Sequence, residues 1–174
     1  MTSNRLAPIA ALALGLLAVG VACAQESELA RAEELLKQKQ SEQALQRVES
    51  YLVSRPKDAR GRFLKGMILS EQSKVAEAIQ VFADLTNDYP ELPEPYNNLA
   101  VLYAGQGEYE KARLALEMAL RANPRFATAY ENLGDVYARM AGQAYDKAYG
   151  LDKTNRSASL KLKAINEMLS NAPR

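Results

Sequence analysis

Apolar residues recur every three or four positions along most of the chain, which is the spacing of one face of an α-helix. Leu99 and Tyr103 belong to one such stretch, and Leu116 and Ala119 belong to the next. Between the two stretches, residues 105–108 read Gly-Gln-Gly-Glu, a composition typical of a turn. The pattern therefore predicts a helix, a turn and a second helix.

The same pattern returns every 34 residues. A proline follows each second helix, where its ring and missing N–H stop the helix. Such a helical pair cannot bury its own apolar face, so neighbouring pairs are expected to stack. The residues that recur at this interval are three prolines, three alanines, four small residues and four large residues: Pro56, Pro90 and Pro124; Ala44, Ala78 and Ala112; Ala32, Gly66, Ala100 and Gly134; and Leu35, Leu69, Tyr103 and Tyr137.

Residues 93–126 resemble a complete tetratricopeptide repeat, and residues 59–92 and 25–58 resemble one in part. In the complete repeat, eight motif positions carry acceptable residues: Tyr96, Leu99, Ala100, Tyr103, Ala112, Leu116, Ala119 and Pro124. The resemblance implies an all-α fold, a right-handed superhelix of helix-turn-helix repeats. The expected parts are three full repeats at about 25–58, 59–92 and 93–126, a truncated fourth repeat at about 127–155, and a capping helix at 156–170. By the same resemblance, Ala100 and Gly134 permit close helix contact, and Tyr103 and Tyr137 fill the core beside them.

The fourth repeat departs from the period. Asp146 stands where the next alanine is expected, and Ala141, Tyr145 and Ala148 restore the pattern only if about five residues are missing. Those residues would form the turn between the helices, so the sequence predicts either one long helix or a sharp bend at Gly142.

The last predicted helix carries apolar residues on one face. Leu160, Ala164 and Met168 are four residues apart and are expected to cover the open end of the stack.

Residues 1–24 are typical of a secretory signal peptide. Arg5 gives a positive start, an apolar run follows, and Ala22-Cys23-Ala24 fits the small-x-small cleavage rule. The alternative is a membrane anchor, but the run spans only residues 6–22 and contains Pro8 and two glycines. We therefore expect an exported domain of residues 25–174, located in the periplasm.

Cys23 raises the alternative of an outer-membrane lipoprotein. Ala22 precedes the cysteine as a lipidation signal requires, but Gly20 stands where leucine is expected. Lipidation of Cys23 is therefore disfavoured, and a membrane partner is expected only if this cysteine carries a lipid.

Charge and composition narrow the function. Without residues 1–24, basic and acidic residues number 21 each, which argues against a nucleic-acid partner. The chain has no histidine and a single cysteine, so histidine catalysis, histidine metal ligation and a CxxC site are excluded. Glu131 and Asp135 lie four apart, but this spacing more often gives a solvated face than an acid–base pair. No catalytic residue, metal or cofactor is expected.

In the tetratricopeptide family, the first helices of successive repeats line a concave groove that holds a peptide or a partner helix. Carried over by register, this groove would present Leu29, Glu33 and eight further residues. The eight predicted groove residues are Phe63, Met67, Asn97, Asn98, Val101, Glu131, Asn132 and Asp135. The family's carboxylate clamp is rejected, because the corresponding positions here contain no cation.

The sequence thus predicts a protein–protein interaction scaffold or adaptor in the bacterial cell envelope, which binds a protein or peptide partner in its groove. The alternative is a membrane-tethered lipoprotein of the same family that assists pilus or outer-membrane assembly. In both cases the chain is expected to bind and not to catalyse.

Overall fold

The computed structural model describes residues 28–171, and this part of the chain is built from helices without a strand. The predicted all-α fold is thereby confirmed, whereas the predicted signal peptide and Cys23 lie outside the described residues. None of the described helices is both long and apolar enough to cross a membrane. The helices are α1 (residues 28–37), α2 (Ser41–Ser54), α3 (Ala59–Glu71), α4 (Val75–Asp88), α5 (Pro93–Gly105), α6 (Tyr109–Ala122), α7 (Ala127–Leu151) and α8 (Arg156–Ser170).

The chain divides into two compact units, with the boundary inside α4 between Ala78 and Ile79. In the first unit, apolar residues of α1, α2 and α3 form a continuous core. Asp58 caps α3, since its Oδ1 accepts a hydrogen bond of 2.7 Å from the Gly61 N–H. The buried core residues of this unit are Leu29, Ala32, Leu35, Ala44, Val48, Tyr51, Leu64 and Ile68.

In the second unit, α5 packs against α6, α6 against α7, and α7 against α8. Six of the eight motif positions of the third repeat are buried as the sequence predicts, with Ala100 only 1% exposed, whereas Tyr103 is half-buried and Pro124 is exposed. The buried residues of α5 and α6 include the small Ala100 and Ala112 beside the larger Leu99 and Leu116, and small side chains permit two packed helices to approach closely. The spacing of the motif residues therefore predicts correctly which residues of α5 and α6 form most of the buried core of this helical pair.

One turn geometry ends α1, α3 and α5, at positions 34 residues apart. Lys39, Ser73 and Gly107 have φ angles of 62°, 59° and 78°, which is the left-handed conformation that closes many helices. Glycine adopts this conformation without strain, whereas Lys39 and Ser73 adopt it at a cost. In each turn a backbone N–H donates to the carbonyl five residues earlier, at 2.9 Å: Gln40 to Leu35, Lys74 to Leu69 and Glu108 to Tyr103.

The fourth repeat lacks this turn. The next position in the series is Ala141, which lies inside α7, and α7 continues without interruption through Gly142. Of the two predicted alternatives, the structure shows the single long helix. Gly142 lies inside this helix, because a single glycine costs a helix interior only about 1 kcal/mol, and it is buried where an added Cβ would lie 3.5 Å from Ile165 Cγ2.

The continuous helix overturns the prediction that Tyr137 and Gly134 belong to the core. Tyr137 is 48% exposed and Tyr130 is 55% exposed, and no atom lies within 4 Å of a Cβ built on Gly134. The physical reason is the missing turn. In the third repeat, α6 folds back over the corresponding face of α5, but the second half of α7 runs straight on and cannot cover the first half.

The predicted face of the capping helix is also wrong. Leu160 and Met168 are 67% and 52% exposed, and Ala164 is exposed as well. The face that meets α7 carries Ala158, which is buried, and Ile165, which lies against Gly142. A Cβ at position 142 would make ordinary van der Waals contact with Ile165, so α8 packs closely on Gly142 without filling the space of a side chain there.

A short turn fixes the start of α8. Asn155 Oδ1 accepts a hydrogen bond of 3.0 Å from the Ala158 N–H and so caps the helix. Asp152 Oδ1 accepts from the Thr154 hydroxyl at 2.7 Å and from its N–H at 2.9 Å. These two bonds stabilise the carboxylate, which lowers the pKa of Asp152 below its ordinary value.

Replacing Ala100 with leucine should destabilise the fold by about 1–3 kcal/mol, because added atoms at a close helix contact force displacement. Urea unfolding measures the change. The matched control is Ala164→Leu, which places the same side chain on an exposed position of α8. Equal unfolding free energies for both variants would show that Ala100 is not the contact that holds α5 to α6.

Candidate functional site

A groove in the first unit lies between α1 and α3. It has a cavity volume of about 390 Å³ and a mainly apolar floor. Phe63 is half-buried and Met67 is 40% exposed, so both side chains reach the groove without belonging fully to the core. The residues lining it are Glu33, Leu36, Lys37, Arg60, Phe63, Leu64 and Met67.

Charged residues form the rim of this groove. The Arg60 guanidinium donates two hydrogen bonds to Glu33 Oε1, at 2.9 Å from Nη2 and at 3.2 Å from Nε. The pair joins α1 to α3 and neutralises both charges at the edge of the apolar floor. Lys37 lines the same groove and is exposed. The arrangement suits an apolar side chain on the floor with polar or acidic groups beside it.

A second groove lies within the second unit, between α5 and α7, with a cavity volume of about 580 Å³. It is more polar than the first groove. Of the predicted residues, Val101, Asn132 and Asp135 line it. The full lining is Ala100, Val101, Ala104, Gly105, Gln106, Gly107, Tyr109, Leu116, Asn132, Asp135, Val136 and Arg139.

Two asparagines link α5 and α7 beside this groove. Asn132 Nδ2 donates to Asn97 Oδ1 at 2.8 Å, and Asn97 is buried. This bond satisfies the Asn97 carbonyl, as a buried polar group requires. It leaves the Asn97 Nδ2 hydrogens and the Asn132 Oδ1 as a donor and an acceptor for a ligand, since neither group has another partner within residues 28–171.

The other predicted groove residues lie elsewhere. Leu29 is buried in the core of the first unit, because its side chain points towards α2 and α3 instead of solvent. Asn98 donates through Nδ2 to the Glu94 carbonyl of its own helix at 2.9 Å. Glu131 is exposed on α7 and does not line the second groove. Register alone therefore places Leu29 wrongly and cannot separate Asn97 from Asn98.

Arg139 is a groove residue that the sequence reasoning missed. It lies one helical turn after Asp135 on the same face of α7, and both residues are exposed. The four-residue spacing was a sufficient signal. Arg139 gives the second groove a cation beside the carboxylate of Asp135, so the groove carries both charges. Within the described part of the chain, no group of three or more acidic or cysteine side chains is placed to hold a metal ion.

Family comparisons agree with this architecture. A model described as tetratricopeptide repeat matches residues 29–93, and a model described as TPR repeat matches residues 102–140. Together the two matches span more than half of the chain. The chain belongs to the tetratricopeptide-repeat family. The second match ends inside α7, close to the position where the missing turn would stand.

Relatives of this tetratricopeptide-repeat chain include the chloroplastic tetratricopeptide repeat domain-containing protein PYG7 of Arabidopsis thaliana. The two are 29% identical over 85 residues, which is 46% of this chain and 28% of that protein. The chain thus matches little more than a quarter of the length of this curated relative, and the comparison concerns the repeats alone.

Solved structures with a similar fold include TTC0263, a thermophilic TPR protein from Thermus thermophilus, with a TM-score of 0.62 and 21% identity over 83% of this chain and 82% of that one. A second is YrrB, described as a TPR protein with an unusual peptide-binding site. It has a TM-score of 0.58 and 26% identity over 62% of this chain and 55% of that one. The helical repeats of this chain therefore have the tetratricopeptide arrangement.

Replacing Asn132 with alanine should destabilise the fold by about 1 kcal/mol, because the buried Asn97 amide loses its partner. Chemical denaturation measures the change, and Glu131→Ala on the same helix is the exposed control. Double replacement of Asn97 and Asn132 should cost less than the sum of the single changes. Additive single and double effects would contradict a direct bond between the two side chains.

Proposed function

We propose that this chain is a protein-binding scaffold of the bacterial cell envelope, which holds a peptide or helix of its partner against the first helices of its repeats. Tetratricopeptide arrays present extended surfaces to other proteins, and binding is the function that suits this fold. The observation that carries the proposal is the groove of the first unit, where Phe63 and Met67 remain accessible inside a charged rim.

The chemistry of that groove defines the part of the partner that fits it. An aromatic ring and a thioether beside each other accept an apolar side chain, and methionine adapts its shape to the side chain it receives. Because Arg60 and Glu33 neutralise each other, Lys37 is the cation of the rim that has no ion-pair partner within residues 28–171. A segment with an apolar anchor and a neighbouring acidic residue would match both features.

The groove of the second unit could bind the main chain of a partner peptide through hydrogen bonds. Asn97 offers an amide donor and Asn132 a carbonyl acceptor, and an extended peptide presents the complementary groups at every residue. Asp135 and Arg139 border the same groove and would select charged side chains of the partner. The likeness to YrrB, whose description names a peptide-binding site, supports a peptide as the ligand class.

The envelope location rests on residues 1–24, whose pattern is that of a secretory signal. The Ala22-Cys23 pair supports a second candidate, a lipoprotein tethered to the outer membrane. Mass spectrometry of the mature N-terminus separates the two. An unmodified Gln25 at the start supports the periplasmic form, and a lipidated Cys23 supports the tethered form.

Replacing Met67 with glutamate should weaken partner binding at least tenfold, because a charge on the apolar floor must lose water when an apolar side chain docks. The binding probe is the protein recovered by crosslinking to this chain in the native envelope. Titration calorimetry measures its affinity for the purified variants.

The matched control is Val53→Glu, which places the same charge on an exposed apolar position of α2 in the same unit. Both variants should keep the helical circular dichroism and unfolding midpoint of the parent chain. Unchanged affinity for Met67→Glu would remove the first groove as the site. Loss of folding would show instead that Met67 stabilises the core, and Met67→Ala would then measure its share in binding.

A further inference from the structure

An apolar stripe runs the whole length of α7. Its members are spaced alternately three and four residues apart, which is the repeat of a coiled-coil seam. Tyr130 and Tyr137 are about half exposed, and Leu151 is 83% exposed. We call this surface the α7 stripe, and its residues are Ala127, Tyr130, Gly134, Tyr137, Ala141, Ala144, Ala148 and Leu151.

The first half of the α7 stripe has the residue pattern of a face that receives a helix. Tyr130, Gly134 and Tyr137 stand 34 residues after Tyr96, Ala100 and Tyr103 of α5. Helix α5 packs against α6, and on α5 Tyr96 and Ala100 are buried, while the Lys111 ammonium of α6 lies 5.5 Å from the centroid of the Tyr103 ring. On α7 the same positions are open to solvent, because the turn that would fold a second helix onto them is missing.

The second half of the stripe has the residue pattern of a repeat's second helix, which packs on the first helix. Ala141 and Ala148 continue the second-helix pattern of the repeat once the missing residues are allowed for. The first half of α7 therefore has the residues of a repeat's first helix, and the second half has the residues of the second helix that normally packs on it. One straight helix cannot bring the two halves together by itself, but two antiparallel copies can.

We propose that a second copy of this chain packs antiparallel on the α7 stripe, with the twofold axis passing beside residue 139. This register places every large residue of the stripe opposite a small one, as close helix packing requires. The resulting layers are Ala127 with Leu151, Tyr130 with Ala148, Gly134 with Ala144, and Tyr137 with Ala141, each formed twice by symmetry.

The twofold arrangement is self-consistent at every layer. An isologous interface needs residue i to meet residue j and residue j to meet residue i, and all eight stripe positions obey this around residue 139. A parallel pair would instead place Tyr130 on Tyr130 and Ala144 on Ala144, so that crowded layers would alternate with voids. Antiparallel helices also align their dipoles favourably.

Charges beside the stripe are compatible with this register. Glu131 borders the first half and would lie near Tyr145 of the second copy. The ring of Tyr145 has the Lys161 ammonium 5.2 Å from its centroid, so the carboxylate would meet a cation there. Lys147 borders the second half and would lie over Leu133, whose surface its methylene groups can cover.

The size of the stripe sets the expected affinity. A helix of 25 residues is roughly 38 Å long, and two half-exposed tyrosines per copy supply most of the apolar area. Such an interface is near the lower bound of about 1,000 Å² for specific association. We therefore expect a reversible dimer with a dissociation constant on the order of 10 μM.

Sedimentation equilibrium of the full chain between about 1 and 500 μM tests the proposal. The parent chain should change from monomer to dimer over this range, and Ala144→Glu should weaken association at least tenfold. Ala144 is exposed in the single chain, so the variant should fold normally by circular dichroism. The matched control Ala164→Glu, on the outer face of α8, should associate like the parent.

A parent chain that stays monomeric at the highest concentration would overturn the proposal and leave the stripe to a helix of another protein. Association unchanged by Ala144→Glu would overturn it as well, because the contact would then lie elsewhere.

Disulfide trapping tests the register. Gly134→Cys and Ala144→Cys are made separately in a chain with Cys23→Ser, and the two proteins are mixed under mild oxidation. The antiparallel register predicts a mixed disulfide between the two variants and little crosslinking of either variant alone. Predominant crosslinking of Gly134→Cys with itself would contradict this register.

Discussion

Each repeat of this chain is stabilised by one contact, in which a helix folds back and covers the apolar face of the helix before it. The contact depends on two local features that the period brings together. A small residue such as Ala100 permits the close approach, and a left-handed residue such as Gly107 reverses the chain at the right distance. Where both are present, as in the third repeat, most of the motif side chains are buried.

The missing turn leaves the motif residues of α7 in place but removes the helix that would cover them. Tyr130, Gly134 and Tyr137 keep the motif, but the helix that should cover them continues along the axis. The repeated pattern thereby becomes an exposed surface. This surface and the two grooves, one in each unit, are exposed surfaces of the described chain that could bind a partner. The α7 surface would bind through apolar packing, and the grooves would bind through mixed apolar and polar contacts.

The sequence predicts the parts of the fold that recur in each repeat, but it does not predict contacts that occur only once. The period predicted the helices of the third repeat and the burial of Ala100 and Leu116, because the same contact recurs. It could not predict which face of α8 meets α7, where Ala158 is buried and Ile165 lies against Gly142, because this contact occurs once in the chain. The groove residues show the same contrast. The repeat register correctly predicted that Phe63 and Met67 lie in one groove, but it did not predict the hydrogen bond between Asn97 and Asn132.

Amide hydrogen exchange along α7 tests most directly whether the missing turn has fused two helices into one. Tyr109 and Glu110 begin α6, where the first amides of a helix have no intrahelical acceptor and Glu108 makes no side-chain cap, so they provide an internal reference for fast exchange. We expect amides 139–144 to exchange slowly, like those in the middle of α6, because each donates within a continuous helix. Exchange at residues 139–144 as fast as at Tyr109 and Glu110 would contradict the continuous helix, and with it the origin of the exposed α7 stripe.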